Sequence, residues 1–195
     1  MKFNPDSQML RNHFIRFCAA AATLALVPFS AKARRRVEKG IFVKSGKDRF
    51  DKPFAIFGSD NLFNKVSTSD TDGDLYIIDT TRITPGGPPL HFHYAQDEWW
   101  YVVKGEFLIK VGEETFHARP GDSVFGPRGI PHTFAKIGEG EAKIIMIFQP
   151  AGKIEQFFKA STEGKLANKS DDEKNEFRKS HGFEHVGPPI KLPVK

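Results

Sequence analysis

Three histidines and one glutamate have the residue types and spacing of a metal site. His91 and His93 flank Phe92, and residues at i and i+2 of a β-strand point to the same face. Glu98 follows His93 by five residues, and His132 lies farther along the chain after a turn-rich run. Three neutral imidazoles and one carboxylate can hold one divalent transition metal ion, and iron, manganese, nickel, cobalt, copper and zinc all accept such donors.

Glycines and prolines surround these four residues in a regular order, and they favour tight turns. The order resembles the two sequence motifs of the cupin superfamily. The first motif corresponds to Gly86, His91, His93, Glu98 and Gly105, and the second to Gly121, Pro127, Gly129 and His132. The first glycine-to-histidine spacing is one residue shorter than usual, and Lys136 stands where the second motif has asparagine.

The resemblance implies an all-β fold, a double-stranded β-helix or jelly-roll barrel, with the metal inside one end. It implies that His91, His93, Glu98 and His132 are the ligands. Within the superfamily, the chain resembles small single-domain exported bacterial cupins of the quercetin-dioxygenase-like group. The stretches that carry this finer resemblance are Gly87–His91, Asp97–Val102, Gly121–Ser123 and Gly187–Pro189.

The function that this resemblance implies is a metal-dependent dioxygenase with a small, aromatic or flavonol-like substrate and dioxygen as partners. Glu98 is then the predicted catalytic residue, because a carboxylate that loosens from the metal can also accept a substrate proton. Two alternatives remain open. One is a non-catalytic exported cupin that binds a small sugar or acid, and the other is an oxygen-independent metal-dependent isomerase or decarboxylase.

Strand parity extends the predicted site to four substrate-binding residues. If Glu98 points inward, Trp100 and Val102 also point inward. If His132 points inward, Phe134 and Lys136 do so as well. The alternative for the apolar residues is ordinary core packing, and for Lys136 it is the solvated end of a strand. His181 and His185 have i,i+4 spacing, but Gly182 interrupts a helix between them, so a second metal site is not predicted.

The elements that must position these residues are short strands between residues 40 and 149. Runs rich in β-branched and aromatic residues, including Ile41–Val43 and Phe54–Phe57, alternate with Gly, Pro, Asp and Ser clusters. Asp72-Gly73 predicts a hairpin turn. We therefore expect a cupin barrel over residues 34–152. Residues 153–195 form an extension with short helices, one over Lys153–Ala160 and one capped by Ser170.

Residues 1–33 resemble an export signal. A basic stretch is followed by the apolar run Phe17–Phe29 and by Ala31-Lys32-Ala33, which suits signal peptidase. The basic run 34–36 that follows would resist translocation, so an uncleaved anchor and an organelle-targeting peptide remain alternatives. The predicted location is periplasmic or secreted, with no stable membrane span, because the apolar run of about 13 residues is short for a bilayer.

Composition excludes some function classes. The 195-residue chain carries a net charge of +5, but without residues 1–33 it holds 25 basic and 23 acidic residues. This mixed surface has no long basic stripe, so nucleic acid is not a predicted partner. The single cysteine excludes a disulfide scaffold. A homodimer is expected from the resemblance. The mostly apolar strand Ile144–Phe148 suggests that both of its faces are covered, and a sandwich core alone is the alternative explanation.

Overall fold

The computed structural model describes residues 36–56 and 61–192, and the predicted export signal lies outside them. Within the described ranges the chain forms ten strands and two α-helices. The strands are β1 Asn61–Val66, β2 Tyr76–Arg82, β3 Leu90–His93, β4 Asp97–Lys104, β5 Glu106–Val111, β6 Glu114–Ala118, β7 Ser123–Gly126, β8 His132–Ile137, β9 Ala142–Gln149 and β10 Phe183–Gly187. The helices are α1 Ile154–Thr162 and α2 Asp171–Ser180.

The strands form two five-stranded antiparallel sheets with the orders β1-β2-β9-β4-β7 and β10-β3-β8-β5-β6. Each sheet mixes strands that are distant in sequence, which is the connectivity of a double-stranded β-helix. The predicted fold class is therefore confirmed. The inner faces supply the core, whose largest fully buried apolar side chains are those of Trp100, Tyr76, Phe107, Phe148, Phe157, Ile78, Ile109, Ile144 and Val102.

Strand alternation decides which side chains enter the core. In β4, Glu98, Trp100 and Val102 are buried, whereas the residues between them are half-buried or exposed. In β9, every second residue from Ala142 to Phe148 is buried. A two-residue period of this kind places one side of each strand inside, so the inward parity predicted for β4 is confirmed.

At two positions glycine is required because a neighbouring strand passes too close for a side chain. A Cβ on Gly87 would lie 1.6 Å from the carbonyl oxygen of Phe134. Gly105 has a φ of +73°, and its added Cβ would lie 2.5 Å from the Cβ of Ala142. These glycines let the loop before β3 and the β4–β5 turn pass close to β8 and β9.

The extension after the barrel contains both predicted helices. α1 begins one residue later and ends two residues later than expected. At the start of α2, Ser170 and Glu173 form the predicted reciprocal capping box. No helix in the described part of the chain is long and apolar enough to cross a membrane.

Two strand predictions need correction, and the sequence analysis missed one strand. Residues 41–43 form no strand, since this three-residue run has no pairing partner and Phe42 is 86% exposed. Of the predicted strand that begins at Phe54, the described residues show only an isolated bridge between Phe54 and Leu62. β10 was not predicted, because Phe183–Gly187 is short and follows a helix, and its strand conformation depends on pairing with β3.

Candidate metal centre

The four predicted ligands come together from both sheets. β3 carries His91 and His93, and β8 brings His132 directly opposite His91. Glu98 comes from β4 in the other sheet. One potential ligand atom from each of the four residues lies within 4.8 Å of the others. The described residues hold no second group of this kind.

The carboxylate of Glu98 is the point on which the imidazoles converge. Its Oε2 lies 3.2 Å from Nε2 of His132, 3.4 Å from Nε2 of His93 and 4.0 Å from Nε2 of His91. Among the described residues, Glu98 Oε2, His93 Nε2 and His132 Nε2 are buried without a hydrogen bond of acceptable geometry. Buried polar atoms normally have partners, and one shared cation would satisfy these atoms together.

Backbone carbonyls fix the orientation of two rings. His91 Nδ1 lies 2.8 Å from the Pro89 carbonyl oxygen, and His132 Nδ1 lies 2.9 Å from the carbonyl oxygen of Ile130. Because a carbonyl only accepts, Nδ1 carries the hydrogen and donates it, which leaves the Nε2 lone pair for a metal. The proline- and glycine-rich turns before β3 and β8 therefore set the tautomer as well as the chain path.

The protonation states also suit a cation. Burial, with the charges of His132 and His93, lowers the pKa of His91 to about 3. Burial also lowers the pKa of His93. Burial alone would raise the pKa of Glu98, but the adjacent His132 and His93 outweigh it and lower that pKa to about 2. Near neutral pH, the neutral imidazoles of His91 and His93 and the Glu98 carboxylate are in the form that metal binding requires.

A cavity of about 240 Å³ lies against this group. Glu98, His91 and His93 are part of its wall. Most of the remaining wall is apolar and comes from β1, β8, β9, α1, β10 and two loops. These residues are Ile56, Leu62, Pro88, Pro89, Phe134, Met146, Phe148, Ile154, Phe157, Phe158 and Phe183. The arrangement is an apolar pocket with a few directed polar groups, the usual form of a small-molecule site.

Of the four predicted substrate-binding residues, the cavity wall contains Phe134. Trp100, Val102 and Lys136 are fully buried and are not among the residues that line this cavity, and their role in substrate binding stays a prediction. Lys136 donates from Nζ to the Gly138 carbonyl oxygen at 2.8 Å, so it is neither a solvated strand end nor a cavity cation. The two-residue alternation of a strand predicts which side chains point inward, but it does not predict how far along the barrel the cavity extends.

Three polar residues of the wall were missed by the sequence analysis: Thr80 and Arg82 of β2, and His185 of β10. His185 pairs in register with His91, with ring centroids 6.2 Å apart. Burial and, secondarily, Arg178 lower the pKa of His185 to about 4. Recognising Phe183–Gly187 as a strand would have placed Phe183 and His185 on one face. For Thr80 and Arg82, parity along β2 was the available signal.

The comparisons agree with this geometry. The family model described as "Cupin domain" matches residues 72–148. An uncharacterized protein of Streptomyces coelicolor is 39% identical over 76 residues, which cover 39% of this chain and 67% of the relative. This chain belongs to the cupin superfamily. Another relative of this cupin is "Oxidoreductase iacF" of Pestalotiopsis fici, 32% identical over 88 residues, or 41% of this chain and 43% of the relative.

Among solved structures, the cupin resembles KdgF from Halomonas sp. with a TM-score of 0.49 and 20% identity, over 57% of this chain and 94% of that one. A cupin from Shewanella frigidimarina, described as RmlC-like, gives a TM-score of 0.49 and 19% identity, over 60% and 96% of the two chains. The matches span between 39% and 67% of the length of the curated relatives.

Proposed function

We propose that this cupin is a metal-dependent dioxygenase of the quercetin-dioxygenase-like group. The observation that carries the proposal is the position of the His91, His93, Glu98 and His132 group against a largely apolar cavity. Four protein ligands leave open coordination positions on most divalent transition metals, and a substrate in the cavity would have access to them.

The cavity favours a small substrate with an aromatic part. Its volume of about 240 Å³ is below the roughly 300–1,000 Å³ typical of pockets for drug-sized ligands. Phe134, Phe148 and Phe183 line it, and aromatic side chains favour aromatic ligands through edge-to-face and offset packing. A flavonol would need to use most of this space, whereas a single-ring catechol would fit more easily.

The residues of the site have separate roles in the proposed reaction. A divalent metal held by the three histidines and Glu98 would supply Lewis-acid polarisation and a common binding point for substrate and dioxygen. The Pro89 and Ile130 carbonyls hold the His91 and His132 rings in position. The apolar wall excludes water and limits side reactions.

Glu98 also has the proposed role of proton acceptor. It remains ionised because the neighbouring imidazoles keep its pKa at about 2, against the opposing effect of burial. A carboxylate of such low pKa is a weak base, so it suits a substrate with an acidic hydroxyl, such as a phenol or an enol. The Pestalotiopsis relative is named an oxidoreductase, which agrees with redox chemistry at such a site.

The test combines metal content with oxygen uptake. Protein purified without a metal-affinity tag is analysed for metals and assayed on a panel of flavonols and catechols. We expect about one metal ion per chain and oxygen uptake on at least one substrate. His132→Ala removes a ligand and should lose both, whereas His117→Ala, at an exposed position outside the site, should keep both.

Two outcomes would redirect the proposal. Metal binding with turnover of a substrate but no oxygen uptake would indicate the isomerase or decarboxylase alternative. Metal binding without any turnover would indicate a binding protein for a small sugar or acid. Absence of metal from both the unmodified protein and the His117→Ala control would contradict a metal-dependent function altogether.

We also propose that residues 1–33 direct export to the periplasm or outside the cell and are then removed. The proposal depends on the basic, apolar and Ala31-Lys32-Ala33 order of the sequence. N-terminal sequencing of the protein from the periplasmic fraction of a bacterial host should begin at Arg34. Replacing both alanines by arginine should block cleavage, and an intact N-terminus in the unmodified protein would contradict the proposal.

A homodimer is proposed from the outer face of the β9-β4-β7 region. Trp99 lies between Ile147 and Phe125 in register, and Tyr101 lies beside Ile145. Phe125 and Tyr101 are exposed, and an apolar patch of this kind is typical of an interface. Light scattering should give twice the chain mass. Phe125→Glu should give a monomer, and a monomeric unmodified protein would refute the dimer.

A further inference from the structure

The loop between β7 and β8, residues 127–131, lies at the end of the barrel that holds the metal-capable group. Glu98 belongs to β4 in one sheet, and His132 begins β8 in the other. Among the described strands, β4 lies between β9 and β7, whereas β8 lies between β3 and β5. The ladder hydrogen bonds therefore do not by themselves fix the separation of Glu98 from His132.

An ion pair with three hydrogen bonds attaches the 127–131 loop to β4. Arg128 donates from Nε to Asp97 Oδ1 at 3.0 Å and from Nη2 to Asp97 Oδ2 at 2.6 Å. The backbone amide of Arg128 also donates to Asp97 Oδ1, at 2.9 Å. Two parallel N–H donors to one carboxylate specify orientation as well as attraction. Because Asp97 directly precedes Glu98, the pair fixes the loop against the main chain of a predicted ligand.

The same loop reaches the other sheet through two hydrogen bonds. The Gly129 amide donates to the carbonyl oxygen of His93 at 2.7 Å. The Ile130 carbonyl oxygen accepts a hydrogen bond from Nδ1 of His132 at 2.9 Å, and this bond orients the His132 ring. A displacement of the loop would therefore disturb both the contact with His93 and the carbonyl that orients His132.

We propose that Asp97 and Arg128 are positioning residues for the metal centre. Neither belongs to the group of four predicted ligands, and neither lines the cavity. They act through the 127–131 loop, which connects the strand of Glu98 with the ring of His132 across the two sheets. Without the pair the ligands would be less well preorganised, so a metal ion would bind more weakly. This inference rests on the proposed metal-dependent function and adds residues outside the ligand set.

A second ion pair on β4 provides a comparison inside the same molecule. Lys104 Nζ lies 3.0 Å from Glu141 Oε1 at the opposite end of the strand. Lys104 is about 20 Å from Glu98 along the strand, at about 3.3 Å per residue. The side chains of both ion pairs are partly exposed, and exposed pairs contribute little to stability. The two pairs should therefore differ in their effect on metal affinity and not in their effect on folding.

The test measures Co²⁺ affinity by competition with a chelator, together with the visible absorption spectrum of the bound ion. Asp97→Ala removes all three hydrogen bonds and should weaken Co²⁺ binding about 10- to 100-fold, the range for residues that hold metal ligands in place. Glu141→Ala is the matched control and should stay within about twofold of the unmodified protein. The Co²⁺ spectrum depends on ligand geometry, so it should change in Asp97→Ala and not in the control.

Graded variants separate positioning from general destabilisation. Arg128→Ala keeps the backbone hydrogen bond to Asp97, so its loss of affinity should be smaller than that of Asp97→Ala. Arg128→Lys retains the charge but not the two parallel donors, and it should recover part of the affinity that Arg128→Ala loses. The double variant Asp97→Ala/Arg128→Ala should lose no more affinity than Asp97→Ala alone, because residues that act as one unit are not additive. Thermal melting of the chelated protein checks that each variant is folded.

The proposal is overturned if Asp97→Ala keeps the affinity and the spectrum of the unmodified protein. It is also overturned if Glu141→Ala loses as much affinity, or if the two single losses multiply in the double variant. A protein that binds no Co²⁺ in any form contradicts the metal site and this inference together. Oxygen uptake is not part of the readout, so a failure of the dioxygenase proposal and a failure of the positioning pair can be distinguished.

Discussion

The two sides of the cavity differ in how the sequence specifies them. On the barrel side, short turns with glycine and proline place His91 and His132 within hydrogen-bond distance of backbone carbonyls. On the C-terminal side, Phe157 and Phe183 form the wall without any motif. Local turn chemistry positions the first group, whereas the second depends on long-range packing of the extension against the barrel.

Metal retention should separate the two sides most strongly. His132→Ala removes one of the four predicted ligands, so we expect at least about a 100-fold loss of metal affinity. His185→Ala, on the C-terminal side, should leave the affinity within about threefold of the unmodified protein. Competition with a chelator measures both. Equal losses in the two variants would mean that β10 contributes a ligand and that the distinction is incorrect.

Folding stability should depend strongly on the C-terminal side of the cavity. Phe183 is 3% exposed and its ring centre lies 4.7 Å from that of Phe157 and 5.5 Å from that of His93. Phe183→Ala should lower the free energy of unfolding by about 3–5 kcal/mol, because it creates a cavity in the core. Denaturant unfolding measures it, and Phe42→Ala at an exposed position is the control. A loss below about 1 kcal/mol would show that the extension is loosely attached.

Acidification should lower the free energy of unfolding mainly through the titratable residues on the barrel side of the cavity. In the unfolded chain His91 has its ordinary pKa of 6.5. In the folded protein, burial and the neighbouring histidines lower the pKa of His91 to about 3. The unfolded state therefore binds more protons between these values, and stability falls as the pH drops below 6.5. Glu98 adds a further loss below 4.5, since its folded pKa is about 2.

The measurement for this prediction is the melting temperature of chelated protein between pH 7 and pH 5. It should decrease steadily, and a variant with both His91→Gln and His93→Gln should show a shallower decrease. A flat profile in the unmodified protein, or one as steep in the double variant, would show that these histidines do not control the pH dependence.

The smallest expected effect concerns the helix that supports β10. Ser170 accepts a hydrogen bond from the Glu173 amide at the start of α2, and Glu173 accepts one from the Ser170 amide. Ser170→Ala should lower the free energy of unfolding by about 1 kcal/mol. Ser123→Ala, at an exposed position in β7, is the matched control. An equal effect in both variants would mean that the cap does not stabilise the C-terminal side.

The sequence predicts the barrel side well because its determinants are local. Turn residues, strand alternation and the capping box of Ser170 each act within a few positions, and the structure contains all three. The depth of the cavity could not be predicted from these local signals. Trp100 and Val102 face inward as expected, but whether an inward residue meets open space depends on side chains from other strands.

β10 shows a second limit of sequence reasoning. Phe183–Gly187 follows a helix and includes His185. His185 lies four residues after His181, a spacing that is typical of one face of a helix rather than of a strand. Its strand conformation depends on pairing with β3, about 90 residues earlier in the chain. A contact of such sequence separation leaves no periodic signal in a five-residue segment.

The position of β10 also determines which strand forms this edge of its sheet. β10 ends its sheet beside β3, so β3, the strand that carries His91 and His93, is an interior strand. If β10 detached, β3 would expose a row of unpaired N–H and C=O groups, and such edges template intermolecular β-pairing. A five-residue segment near the end of the chain thus keeps β3 from becoming an aggregation-prone edge.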